Sequence, residues 1–141
     1  MAANERPRAS GGALELLQRG LQALGARDWE ALRSLCDDDC VWRIPGRNPL
    51  AGKFIGPDAI VARFQLMAST TVSDRPAQVV ALLDGQAYAA AVQQNSVVGR
   101  DGSELPFTTI TLVRARGGRL VEVQNFPSDQ YMLDELWSDR L

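Results

Sequence analysis

The chain has 141 residues, 45% of them hydrophobic and 23% charged, the proportions of one ordinary globular domain with a single core. A formal net charge of −2 argues against nucleic acid or an anionic membrane as a partner. Histidine is absent, which removes His-based triads, His general bases and most zinc and iron sites; no metal and no cofactor is expected.

Residues 1–12 contain Arg6, Pro7, Arg8 and two glycines but no apolar segment. They read as a loose tail, not a secretory signal, ahead of one domain over 13–141. No apolar run is long enough to span a bilayer, and the default location is cytoplasmic. The spacing of Leu14, Leu17, Leu21 and Leu24 predicts a helix over 13–24. Gly20 shares that stripe and leaves a gap toward the core, and Gly25 ends the helix as a C′ residue. Asp28 caps a second helix with Trp29, Leu32 and Leu35 inward. Cys36 and Cys40 read as small buried thiols at a helix-to-strand junction. Asp37, Asp38 and Asp39 read as a solvated turn. A short strand, Cys40 to Ile44, leads into a Pro- and Gly-rich loop over 45–56, of a length that inside a compact domain tends to be functional. Arg47 and Asn48 are expected to shape it by hydrogen bonding. Pro57 opens a third helix with Ile60, Val61, Phe64 and Met67 inward.

Beyond a connector over 70–76 the pattern changes to strands: 77–83, a hairpin turn at Asp84-Gly85, 86–98, 105–114 and 119–126. Ser128 then caps a closing helix carrying Tyr131, Leu133, Leu136 and Trp137. Helices grouped before a strand meander indicate an α+β fold, a curved antiparallel sheet with helices covering one face. Within the strand 86–98, alternation puts Ala87, Ala89, Ala91, Gln93, Asn95 and Val97 on one face. Small residues leave room and amides offer uncharged hydrogen bonds. That face reads as the floor of an apolar pocket with a few neutral polar contacts.

The stretch Leu35 to Asp39, Val41-Trp42-Arg43-Ile44-Pro45-Gly46-Arg47-Asn48-Pro49-Leu50-Ala51-Gly52, and Gly56-x-Asp58-Ala59-Ile60 resembles the SnoaL-like polyketide cyclase group of the nuclear transport factor 2-like superfamily. The ending Phe126-x-x-Asp129-Gln130-Tyr131-x-x-Asp134-Glu135-x-Trp137 is similar to that group's C-terminal signature. The resemblance implies a cone: a bent sheet wrapped round a pocket, closed by the first helices, with a C-terminal helix near the mouth. It also implies a homodimer through the outer sheet face. The fold hosts several chemistries, so the reaction has to be read from the site. Aligned with steroid isomerases of the superfamily, the base position falls on Arg43, the oxyanion-hole positions on Gly20 and Thr108; all three have changed. Aligned with its epoxide hydrolases, the ionisable positions fall on Gln93, Asn95 and Asn125.

The expectation is therefore a cofactor-free, ring-forming enzyme of bacterial natural-product biosynthesis. It shapes an apolar polyketide-like substrate and hydrogen-bonds a carbonyl. Arg43, Gln93, Asn95, Asn125 and Asp129 are the candidate catalytic groups. Gly20, Trp42, Ala91, Thr108, Ile110, Val123 and Tyr131 are candidate lining residues, with Thr108 and Ile110 on the pocket side of their strand and Phe107, Thr109, Thr111 and Val113 on the outer side. The alternatives are a carboxylate mechanism through Asp129, paired with Arg43, and binding without reaction.

Overall fold

The computed structural model describes residues 12–70 and 77–138. The loose-tail expectation, except for Gly12, and residues 71–76 of the connector lie outside the described residues. Helices α1 (Ala13–Ala26) and α2 (Trp29–Leu35) come first, then β1 (Cys36–Ile44), β2 (Gly52–Ile55) and α3 (Pro57–Ser69). Strands β3 (Gln78–Gly85), β4 (Tyr88–Val98), β5 (Glu104–Arg116) and β6 (Arg119–Pro127) follow, and α4 (Gln130–Ser138) closes the chain. The sheet runs β2-β1-β6-β5-β4-β3. β3 to β6 form the antiparallel meander, and β1 joins β6 in parallel, which makes the sheet mixed. Among the described residues no helix is long and apolar enough to cross a membrane.

The helices bury their apolar stripes on one side of this sheet. Leu16, Leu17 and Ala23 of α1, Leu32 and Leu35 of α2, and Ile60, Val61 and Phe64 of α3 form one core with Trp42, Ala89, Ala91, Val113 and Val123. Asp28 Oδ1 accepts from the Ala31 N–H at 3.1 Å and caps α2. Cys36 and Cys40 are buried free thiols.

Several local boundaries differ from expectation. α1 continues through Gly25 to Ala26, and Arg27, at φ 54°, takes the left-handed position instead. Asp37 to Asp39 belong to β1, whose pairing with β6 shifts register between Cys36 and Val41. The long loop contains β2, paired along β1 from Val41–Ile55 to Ile44–Gly52. The β3–β4 turn falls at Gln86-Ala87, with Gln86 at φ 67°. The cap of α4 is Asp129, whose Oδ1 accepts from the Met132 N–H at 3.0 Å. Ser128 Oγ instead accepts from the Thr108 N–H at 2.9 Å, tying the end of β6 to β5.

α4 holds the loop after β1. Asp134 Oδ1 accepts from the Arg47 N–H at 2.8 Å, Asn48 Nδ2 at 2.7 Å and Gln130 Nε2 at 2.9 Å. Asn48 Oδ1 in turn accepts from the Leu50 N–H at 2.9 Å. Leu50 is thereby seated in a second apolar cluster with Val97, Leu136 and Trp137. Gly46 sits at φ +118°, and a Cβ there would overlap Gln130 Nε2 and Asp134 Oδ1.

Gly46→Ala is expected to lower the unfolding free energy by about 2 kcal/mol or more, through backbone strain and loss of this latch, read as a lower urea midpoint. Partial burial acts to raise the Asp134 pKa, but the hydrogen bonds from Arg47, Asn48 and Gln130 outweigh it and hold the carboxyl below its usual range. Folding thus favours the ionised form. The contribution is complete above the unfolded-state value of about 3.9 and disappears as pH falls through the lower folded-state value. Asp134→Asn should therefore flatten the acid limb of a Tm–pH curve below about pH 4; an unaltered limb would show that the latch does not depend on the charge.

Candidate functional site

Residues directly opposite one another in an antiparallel pair share a face. β4 pairs with β5 so that Ala89 meets Val113, Ala91 meets Thr111, Gln93 meets Thr109 and Asn95 meets Phe107. β5 pairs with β6 so that Val113 meets Val123 and Thr111 meets Asn125. Trp42 lies beside Val123 in the parallel pair. One face of the sheet, the side toward the helices, therefore collects Trp42, Ala89, Ala91, Gln93, Asn95, Thr109, Thr111, Val113, Val123 and Asn125.

A chain of hydrogen bonds crosses that face. Trp42 Nε1–H donates to Asn125 Oδ1 at 2.7 Å. Asn125 Nδ2 donates to Thr111 Oγ1 at 3.0 Å, and Thr111 Oγ1 donates to Gln93 Oε1 at 2.7 Å. The direction follows from the first member, because an indole N–H can only donate. Asn125 must then turn its oxygen to Trp42 and its amide nitrogen to Thr111. Thr111, already accepting, passes its one hydrogen to Gln93. The Gln93 amide nitrogen ends the chain as a donor with no acceptor among the described residues. Beside it, Asn95 Nδ2 donates to Thr109 Oγ1 at 3.1 Å. Thr111 is only 5% exposed, so the centre of the chain is shielded from water. The Trp42 ring meets Phe64 of α3 edge-on, with centroids 4.8 Å apart.

Along the described inner face from Ala89 to Val97 and from Leu105 to Val113 no side chain is ionisable. Among the described residues no group of three or more His, Cys, Asp or Glu side chains is placed to hold a metal.

The candidate residues divide by face. Gln93, Asn95, Asn125, Trp42, Ala91 and Val123 come together on the inner side, but Trp42, Ala91 and Val123 are sealed in the core with the helices and do not line open space; only the amide end of that face, at Gln93, Asn95 and Asn125, is half-buried. Gly20 is buried, but a Cβ there would meet Leu35 Cδ1 at 3.9 Å, so it faces the α1–α2 contact. Arg43 lies on the outer face, where Nη1 donates to Glu122 Oε2 at 3.5 Å. Strand alternation requires this, since its neighbour Trp42 points inward. Arg114 also bonds Glu122, and its hydrogen bond, with Arg43 assisting, holds that carboxyl below its ordinary pKa. Thr108 and Ile110 are outer residues as well, Ile110 being opposite Val92 and Phe126. The four residues expected outside, Phe107, Thr109, Thr111 and Val113, are the inner set. Asp129 is exposed and engaged as the cap of α4. Tyr131 is 90% exposed because α4 buries its opposite side through Leu136 and Trp137.

Arg63 on α3 was absent from the candidates. Its Nε–H donates to the Leu50 carbonyl at 3.0 Å and its Nη1 to Met67 Sδ at 3.5 Å. Its guanidinium carbon lies 4.8 Å from the Phe64 ring centroid. Burial pulls its pKa down to about 10, so it stays cationic at neutral pH. The signal was available: position 63 completes the inward i, i+3, i+4, i+7 stripe of Ile60, Phe64 and Met67.

Residues 17–123 match the family model described as a SnoaL-like domain. The uncharacterized protein Rv0034 of Mycobacterium tuberculosis is 28% identical over 128 residues, covering 89% of this chain and 95% of that one. Bal32a, from a soil-derived mobile gene cassette, superposes with a TM-score of 0.77 at 27% identity over 87% of this chain and 94% of its own. An NTF2-like protein of Burkholderia xenovorans superposes at 0.74 with 19% identity, over 89% and 95% of the two chains; this likeness concerns the fold alone.

Thr111→Val removes the hydroxyl at the centre of the chain while keeping its volume. It should cost about 1–3 kcal/mol of stability, because the Asn125 amide and the Gln93 carbonyl then lose a partner in a buried place. Chemical denaturation measures this; a neutral result would mean that water replaces the hydroxyl.

Proposed function

We propose, for a chain that belongs to the SnoaL-like domain family of the NTF2-like superfamily, that it closes a ring in an apolar, polyketide-like substrate of bacterial natural-product biosynthesis without a resident acid/base pair. A SnoaL-like domain with this fold is consistent with an isomerase- or cyclase-type enzyme and with a binding protein. The observation that carries the finer reading is the uncharged hydrogen-bond chain ending at the Gln93 amide nitrogen. Ala89 and Ala91 are packed into the core, and the half-buried residues beside them, Gln93, Asn95, Phe107 and Thr109, form the accessible part of the face. Phe107, half-buried opposite Asn95, supplies aromatic surface, and Gln93 and Asn95 supply amides. Holding a flexible substrate in a reactive shape can supply about 7–11 kcal/mol of a barrier. A donor placed on a carbonyl that gains negative charge adds roughly 2–4 kcal/mol. Gln93 Nε2 is suited to that role because its own carbonyl is already held by Thr111. Asp129, tied to the helix end and solvated, gives a carboxylate route little support.

Incubated with linear polyketide precursors, the protein should yield a cyclic product at a rate nearly flat from about pH 6 to 9, where amides do not titrate. Gln93→Leu should slow turnover by about 10²-fold while the fold persists. A titrating rate limb that disappears in Asp129→Asn would favour the carboxylate route instead. Thermal stabilisation by a ligand without any product would identify a binding protein.

We also propose a homodimer through the outer sheet face. Ile55, Leu83, Tyr88, Ile110 and Phe126 are exposed there, between 41% and 58%, around the Arg43–Glu122–Arg114 cluster. Apolar exposure of that kind is a frequent mark of an interface. Sedimentation should give a dimer that Ile110→Glu converts to a monomer; a monomeric wild-type chain would refute this.

A further inference from the structure

Arg63 is placed differently from the other arginines with described ion pairs. Arg19, Arg33, Arg43 and Arg114 each meet a carboxylate. The partners of Arg63 among the described residues are all neutral: a backbone carbonyl, a thioether and an aromatic face. A guanidinium carries five N–H hydrogens, and two of these are engaged. No carboxylate among the described residues pairs with it.

The remaining hydrogens are not sealed inside protein. Gln130 Oε1 is the one side-chain nitrogen or oxygen among the described residues that is both buried and without a hydrogen-bond partner, so the free hydrogens of Arg63, itself half-buried, lie on an accessible side of the guanidinium. The engaged side of the group lies among Leu50, Met67 and Phe64. Leu50 and Met67 belong to the cluster that includes Val97, Leu105 and Phe107 of the inner sheet face. A cation held among apolar groups without a counter-charge is electrostatically incomplete. Its planar fork suits an oxygen anion.

We propose that Arg63 anchors an anionic oxygen of the ligand, a carboxylate or an ionised enol or phenol, while the ligand's apolar body extends past Phe107 toward Asn95 and Gln93, the half-buried end of the inner face. The inference rests on the reading of that face as the ligand site, but not on ring closure. It narrows the substrate class to apolar organic acids, and it makes Arg63 a binding residue held in place by Leu50 and hence by the loop that α4 fastens.

The test is calorimetric titration at pH 8 and low salt with three probes: 4-phenylbutyrate, 4-nitrophenolate and the neutral 4-phenylbutyramide. At least one anion should bind the wild-type chain about tenfold or more tightly than the amide. Whichever anion does so distinguishes a carboxylate ligand from a phenolate-like one. Arg63→Gln should abolish the preference. Arg63→Lys, which keeps the charge but loses the fork, should retain part of it and covers the case in which the glutamine variant does not fold. Equal binding of anions and amide, no binding of either anion, or a preference that survives in Arg63→Gln overturns the proposal. The wild-type chain, assayed for both properties, separates the two readings. Anion preference retained while no cyclic product forms counts against ring closure alone; product formed without anion preference counts against the Arg63 subsite alone.

Discussion

The pairing of Ala91 with Thr111 is the constraint on which the site depends. Residues facing each other across antiparallel strands must project to the same side, so this one register decides the whole inner surface. It carries Gln93 and Thr109 together, brings Thr111 to Asn125 on the next strand, and leaves Trp42 beside Val123. The same rule sends Arg43, Arg114 and Glu122 to the other side, where three charges satisfy one another near solvent. A shift of one residue would exchange the two surfaces completely.

The inner surface is built from polar groups that carry no charge. Buried polar atoms need partners, and the row from Trp42 to Gln93 supplies them one to the next. Because an indole can only donate, the row has a direction, and the free capacity accumulates at its far end. A small set of neutral side chains thus produces one oriented donor beside a pair of alanines. On the helical side, Arg63 contributes the opposite character: a permanent charge whose contacts among the described residues are all neutral.

Distant parts of the chain hold these two walls in relation. Asp134 of α4 gathers Arg47, Asn48 and Gln130, and Asn48 passes that order to Leu50. The Leu50 carbonyl then receives Arg63. The C-terminal helix therefore positions the cation without touching it. This gives the conformation of Gly46 its purpose: any larger residue would intrude on the carboxylate that organises the loop.

Much of this could be read from the amino-acid order. Helix stripes, the Asp28 cap, the buried thiols, the strand meander and the alanine-amide face of β4 follow from local periodicity, and the family resemblance supplied the cone. The face of β5 did not follow. Threonines occupy both phases at 108, 109 and 111, and apolar residues occupy both at Phe107 and Val113 and at Ile110 and Leu112. Alternation then gives no preference, and the turn joining Val98 to Glu104 decides the register. Arg43 and Trp42, adjacent in a strand, could not both face inward, and the burial of the indole settled which one does. Arg63 occupies an inward position of its helix, but only packing in three dimensions reveals that no acid among the described residues meets it. Local order determines which residues can share a surface; the long-range pairing of strands and helices determines which surface that is, because burial and charge compensation are properties of neighbours far apart in the chain.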